Sequence, residues 1–345
     1  MTRILIAGLG SIGQRHARNL RALFGDGADI LAYRAVGQQG IITAAMTLDP
    51  SSTVEARYGI RSFDRLDEAL VCDPEAVLVC NPTSRHMEVA LAAARHGCHL
   101  LIEKPLAATL EGCDALLGAV ARAGIVATVG YQMRFHPALL RLRELLCRKA
   151  IGRVRSVRAE MAEYLPDAHP YEDYRTSYAA RADLGGGVIL CYSHEIDYVL
   201  WLFGPARRVS ATGGRLGDLE IDVEDTAHIT LECERQGHAV PVDVHVTFLQ
   251  RPSSRTCEVI GEQGAIRIDF IQSTLTLTDG AGSSERHTFD GFERNHLFLD
   301  ELRAFVAATQ GDRSRVAPLG DGVNALRVAL AAKTSLATGR PVELT

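Results

Sequence analysis

Apolar runs alternate with helical periodicity along the first 130 residues. The strand 3–7 passes into a helical pattern, and strands at 30–34, 76–79, 99–102 and 126–129 then alternate with helices at 64–71, 85–96 and 110–123. This rhythm predicts a parallel, doubly wound sheet covered by helices on both faces. The stretch 37–52 has no period, which predicts a surface loop or a short helix.

The rhythm changes after residue 150. Strands follow at 154–163, 209–212, 226–232, 240–247, 256–260, 265–269 and 274–278, joined by turns such as Gly213-Gly214, Gly261-Glu262-Gln263-Gly264 and Asp279-Gly280. Strands joined without long helices predict an open, mostly antiparallel sheet. Helical patterns at 195–202 and 296–308 are expected to cover one face of it, and a last one, 323–338, stops at Gly339 and Pro341. The expected fold is α/β: a Rossmann domain over 1–130, then a substrate-binding and oligomerisation domain of α+β type over 131–345. No internal repeat or low-complexity tract is visible.

Composition narrows the function. At 345 residues, 47% hydrophobic and 23% charged, the chain reads as a globular protein long enough for two domains. A net charge of -5, with no basic stripe, excludes a nucleic-acid partner from the expectation. No apolar run is long enough for a membrane span, and the chain enters its first strand without a signal peptide, so a cytoplasmic protein is expected. The eight cysteines are never spaced as C-x-x-C and do not cluster with histidines at ligand spacing. Small core residues in a reducing compartment are expected, and no metal.

The chemistry starts at Gly8-Leu9-Gly10-Ser11-Ile12-Gly13, a Gly-x-Gly-x-x-Gly between strand and helix. Gly8 permits the tight turn, Gly10 lets the backbone approach a pyrophosphate, and Gly13 lets helix pack on strand. Backbone N–H groups around Ser11 and Ile12 then face the phosphates at the positive end of the helix. Strand two ends in Tyr33-Arg34, where an NAD enzyme usually carries Asp or Glu. Arg34 is a candidate for pairing with a 2′-phosphate, which favours NADP over NAD; it can also stack on adenine or be a solvated strand end.

Several further motifs accompany the fingerprint: Asn81-Pro82-Thr83, Glu103-Lys104-Pro105, Gly185-Gly186-Gly187 with His194-Glu195-Ile196-Asp197, and Gly204 after Trp201-Leu202-Phe203. Together they resemble the Gfo/Idh/MocA oxidoreductases over nearly the whole chain. The resemblance implies NAD(P)-dependent hydride transfer on a sugar, cyclitol or nucleotide sugar, and a homodimer or homotetramer formed through the C-terminal sheet. The run His169-Pro170-Tyr171-Glu172-Asp173-Tyr174-Arg175 looks closest to members that make unusual sugars.

By the same resemblance, Lys104 lies beside the nicotinamide and exchanges a proton with the substrate hydroxyl, and its bond to Pro105 is cis. A lysine of reference pKa about 10.4 must lose about three units to work near neutrality, which burial beside a cationic nicotinamide favours. Glu103 is expected to orient the ribose or nicotinamide, or to be a salt-bridged strand end. Asn81, Pro82 and Gln132 are expected to line the cofactor cleft, with His86 either a cofactor contact or a surface histidine at a helix start. Arg134 reads as structural.

Tyr164, His169, Tyr174 and Arg175 are the candidate substrate contacts, with Arg175 suited to a carboxylate or phosphate. Tyr171 and Tyr174 can equally serve to pack their loop; Arg294 and Asn295 are weaker candidates. His194 is expected to share proton transfer and substrate binding with Lys104. The chain departs from the family pattern here: the place of a common aspartate before this histidine falls on Leu190 or Cys191. Asp197 is left as a structural or capping group. Two other functions fit the same features: a non-catalytic NADP sensor, and a lyase or hydrolase that uses transient internal redox.

Overall fold

The computed structural model describes residues 3–34, 40–43 and 46–344. Strand β1 (Arg3–Ala7) leads into helix α1 (Ser11–Phe24) and strand β2 (Asp29–Tyr33). Of the patternless stretch, residues 37–39, 44 and 45 lie outside the described residues, and the remainder carries a small hairpin of β3 (Ile41–Ile42) and β4 (Leu48–Asp49). Then come α2 (Val54–Tyr58), β5 (Ile60–Phe63), α3 (Leu66–Leu70) and β6 (Ala76–Val79). The half closes with α4 (His86–Arg95), β7 (His99–Ile102), α5 (Cys113–Ala123) and β8 (Ala127–Val129).

Six strands form one parallel sheet in the order β5-β2-β1-β6-β7-β8. Leu5, Ile6, Val77, Leu78, Leu100 and Leu101 are wholly buried, since helices cover both faces of the sheet and the strands are apolar on both. Strand order reverses between β1 and β6, which opens a crevice at the carboxyl ends of the strands. The strand β5 has no counterpart in the sequence expectation. It is an edge strand in which only Ile60 is buried, so its pattern carries no apolar run.

Helix α6 (Pro137–Cys147) links the halves, and its start signal in the sequence is Pro137 at the first helical position behind His136. It leads to β9 (Val154–Tyr164), α7 (Leu165–Ala168), α8 (Val188–Cys191) and α9 (Ser193–Phe203). Six strands follow: β10 (Ala206–Gly214), β11 (Thr226–Arg235), β12 (His238–Thr247), β13 (Leu249–Gly261), β14 (Gly264–Asp269) and β15 (Thr274–Asp279). The chain ends through β16 (Ser284–Thr288), α10 (Arg294–Thr309), α11 (Leu319–Thr338) and β17 (Val342–Glu343).

These strands form a nine-stranded sheet, β16-β15-β14-β13-β9-β12-β11-β10-β17, antiparallel except where β9 meets β12. Alternation sets its two faces. Ala227, Ile229 and Leu231 point inward with Val240, Val242 and Val244, whereas His228, Thr230 and Glu232 point outward. Helix α10 returns to the first half, where Asn295 and Asn19 of α1 exchange side-chain hydrogen bonds of 2.9 and 3.3 Å. No helix among the described residues is long and apolar enough to cross a membrane.

Candidate active site

The fingerprint glycines have separable jobs. Gly8 has φ of +101°, and a Cβ there would meet the Asn81 backbone nitrogen at 2.8 Å. A Cβ on Gly13 would collide with the Gly8 carbonyl, so this glycine sets the packing of α1 on β1. One on Gly10 would meet nothing within 4 Å. Because the α1 N-terminus has no side-chain cap, the N–H groups at Ser11 and Ile12 face the same open space. The open space at Gly10 and an uncapped helix start fit a dinucleotide pyrophosphate.

Arg34 is already engaged. Its Nη1 lies 3.0 Å from the Glu55 carboxylate, which also accepts the Ser62 hydroxyl at 2.9 Å. The charge proposed for a 2′-phosphate is therefore largely matched within the protein.

The ends of β6, β7 and β8 lie side by side and present Asn81, Glu103, Lys104 and Gln132. Buried Asn81 Oδ1, Gln132 Oε1 and His194 Nδ1 have no partner within the protein, and such orphaned atoms concentrate where a ligand supplies the hydrogen bond. Pro82 turns the chain from β6 toward α4 in an extended conformation.

His86 departs from the expectation, and Glu103 is paired within the protein. His86 is buried, not on the surface, and its ring faces the carbonyls of Asn81 at 2.7 Å and Pro105 at 2.9 Å. It ties the loop after β6 to the loop after β7 and has no nitrogen left for a cofactor. Burial pushes its pKa down. Glu103 turns its carboxylate toward α1, where Oε1 meets His16 Nε2 at 2.7 Å. That carboxylate oxygen is thereby engaged within the protein.

Lys104 precedes a cis peptide to Pro105 and reaches across the cleft, donating from Nζ to the Cys191 carbonyl at 2.8 Å. Burial lowers its pKa, with Cys191, then Glu103 and Glu195, opposing and Arg255 acting in the same direction as burial. His194 is buried at the start of α9, edge-on to Tyr131 with ring centroids 5.8 Å apart. Its pKa falls well below the usual histidine value through burial, then through Lys104, Arg255 and Arg294. The imidazole is neutral at neutral pH.

Leu190 and Cys191 are both buried, and burial raises the Cys191 thiol to about 11. Asp197 lies away from Lys104, in a two-point ion pair with Arg134 at 2.7 and 2.9 Å that Asp321 extends at 2.8 Å. The Arg134 and Asp197 side chains are thereby engaged with one another.

The predicted substrate loop is mostly occupied with itself. The Tyr164 ring lies under the Arg251 guanidinium at 3.8 Å. Arg175 is exposed and held by Asp173 at 2.7 Å and Glu220 at 3.1 Å, while the Tyr174 hydroxyl accepts from Glu220 N. The Arg175 guanidinium is thus matched within the protein, whereas the Tyr174 hydroxyl keeps its own hydrogen to donate. His169 pairs with Glu172 at 3.0 Å and stacks on Tyr171 at 5.5 Å. Tyr171 is the residue of this loop that reaches the fingerprint, with its hydroxyl on Ser11; burial pushes its pKa up to about 12.

Residues that the sequence reading did not select complete the cleft. The Tyr178 hydroxyl lies against the Cys191 thiol, and Tyr192 donates to Glu163 at 2.7 Å. Arg255 meets the buried Glu195 at 2.8 Å. The triple glycine was the available signal for Tyr178: Gly186 packs on the Tyr178 carbonyl, a place with no room for a Cβ.

Comparison with known proteins accounts for the arrangement. Residues 2–131 match the oxidoreductase family with an NAD-binding Rossmann fold, and residues 139–267 match the GFO/IDH/MocA C-terminal domain. The chain is 29% identical to a myo-inositol 2-dehydrogenase of Thermotoga maritima, covering 99% of this chain and 98% of that protein. It is 30% identical to a 1,5-anhydro-D-fructose reductase of Ensifer adhaerens over 91% and 93% of the two chains. Among solved structures, GenD2 from gentamicin A biosynthesis, in complex with NAD, superposes with a TM-score of 0.78 at 26% identity, covering 100% and 96%.

Proposed function

We propose that this chain, which belongs to the Gfo/Idh/MocA oxidoreductases, oxidises a secondary hydroxyl of a sugar or cyclitol, or reduces the matching ketone, with Lys104 and His194 at the reacting carbon. The observation that carries the reading is Lys104 Nζ, held by the Cys191 carbonyl at the carboxyl end of the sheet, on the cleft that also receives the His194 ring. The nicotinamide cofactor, cradled at Gly8, Gly10, Ser11, Ile12 and Gly13 and met by Asn81 and Gln132, supplies the hydride acceptor. In the oxidative direction the hydroxyl proton passes to Lys104, whose lowered pKa increases the neutral amine available to take it. Neutral His194, whose Nδ1 has no partner within the protein, would donate to the oxygen of the same hydroxyl and leave the hydroxyl hydrogen facing the lysine.

NAD is the favoured cofactor in this reading, because Glu55 offsets Arg34, the arginine expected to meet a 2′-phosphate. The expectation of NADP rests on Arg34 without its Glu55 partner. Assembly into a dimer or tetramer through the outer face of the nine-stranded sheet, a division into domains near residue 130, and work in the cytoplasm belong to the same reading. Eight free cysteines suit a reducing compartment.

The test is reduced-cofactor absorbance on mixing the purified protein with NAD or NADP and a panel of polyols, sugars, sugar acids and nucleotide sugars. Steady formation supports a dehydrogenase. Conversion without net NADH would point to internal redox, and binding without any conversion to a sensor.

A further inference from the structure

Two guanidinium groups of the cleft have no carboxylate within ion-pair distance among the described residues. Arg15 lies one turn beyond Ser11 on α1, and its guanidinium sits 4.6 Å from the ring centre of Phe298. Phe298 is one turn beyond Arg294, the first residue of α10, and the Asn19–Asn295 amide pair fastens the two helices at that level. Arg15 and Arg294 therefore face a shared space between the helix starts. Arg255 extends the row toward the reacting end, where its Nε is engaged by Glu195, the residue after His194.

The charges act on one another. Arg15 is pushed down to about 10, first by burial, then by Arg294 and Arg18; Arg294 is lowered by desolvation and then by Arg255. Glu163 acts favourably on Arg294, but its carboxylate is taken by the Tyr192 hydroxyl at 2.7 Å. Like charges gathered in an open cleft, with Arg15 half-buried and Arg294 exposed, favour an anion, and planar guanidinium groups favour a carboxylate or phosphate. A neutral polyol would leave that charge to water alone.

We infer that the substrate carries an oxyanion, a carboxylate or a phosphate, that seats between Arg294 and Arg15 while its reacting hydroxyl faces Lys104 and His194. The inference rests on the reading of Lys104 and His194 as the reacting end, and it assigns the anion site to residues other than Arg175, which Asp173 and Glu220 already hold.

The experiment is calorimetric titration of the NAD-loaded protein with glucose, glucuronate, glucose 6-phosphate and UDP-glucose, repeated with R294Q, R294K and R15Q after their melting curves are matched to wild type. At least one anionic probe is expected to bind about tenfold or more tightly than glucose. R294Q and R15Q should each remove most of that difference, with R294K intermediate and NAD affinity held within a few-fold. Glucuronate alone gaining affinity assigns a carboxylate; the phosphorylated probes alone gaining it assign a phosphate. Equal affinity for glucose and every anionic probe overturns the inference, as does a loss confined to NAD, which would give the arginines to the cofactor. Anion binding that survives in K104M, together with no cofactor reduction on any sugar in wild type, would sink the dehydrogenase reading and leave the anion site standing.

Discussion

The Lys104 side chain donates to the backbone carbonyl of Cys191 across 2.8 Å, so a neutral peptide oxygen meets the lysine where many relatives are expected to place an aspartate nearby. A carbonyl fixes the position of Nζ without the strong ammonium stabilisation that a carboxylate gives. Burial then dominates and the pKa moves down.

Replacing Lys104 by Met should cut kcat by on the order of 10² or more while leaving cofactor affinity within a few-fold. In the wild type the rate of oxidation should rise with pH and level off below the usual lysine value of about 10.4, because deprotonation creates the base and the folded pKa is lowered. The variant should lose that limb. A flat wild-type profile from pH 6 to 10 would remove Lys104 as the base.

His194→Asn should lower turnover by roughly 10² to 10⁴, the range for a positioned proton-transfer group. Cys191→Ser should change it little, because Lys104 is held by the peptide carbonyl and not by the thiol. Steady-state kinetics on the two variants decide the matter: a crippled Cys191→Ser with a mild His194→Asn reverses the assignment.

At the adenine end the contest is between Arg34 and Glu55. Glu55→Gln removes the charge that offsets the guanidinium and should tighten NADP relative to NAD by about tenfold, whereas Arg34→Asp should weaken NADP far more than NAD. Fluorescence titration with both cofactors reads the ratio. An unchanged ratio in both variants would place the 2′-phosphate elsewhere.

The sheets were legible wherever burial imposed a period. Strands 76–79 and 99–102 match the structure residue for residue, since both faces are covered and every position after the half-buried His99 is apolar, as are all four of 76–79. Edge strands escaped for the opposite reason: Ser284–Thr288 is polar and largely exposed, so it presents no alternation. Motif residues on the fingerprint and at Lys104 were found because spacing fixes them to strand ends. Arg255 and Tyr178 were not, because their roles depend on β13 and the 178–187 turn meeting α9 in space. Arg175 misled for a similar reason. Its charge is visible in sequence, but Glu220, 45 residues away, is visible as its partner only in the fold.

The pair Arg134–Asp197 is expected to be a determinant of stability, because it joins the crossover after β8 to α9 with both side chains buried. Arg134→Met would leave the Asp197 carboxylate in a dry site without its two hydrogen bonds, a change that usually costs about 3–5 kcal/mol. The size of the loss should depend on pH. In the wild type, burial raises Asp197 to about 6 against the opposing pull of Arg134. A carboxyl raised on folding favours the native state below its unfolded value near 4, and that contribution fades as pH rises through 6. Without Arg134 the carboxyl should rise further and take up a proton at mildly acid pH, relieving the buried charge. Urea unfolding of wild type and Arg134→Met should therefore show a larger difference at pH 8 than at pH 5. An equal difference at both values would mean that Asp197 stays ionised in the variant, with water or another cation taking the arginine's place.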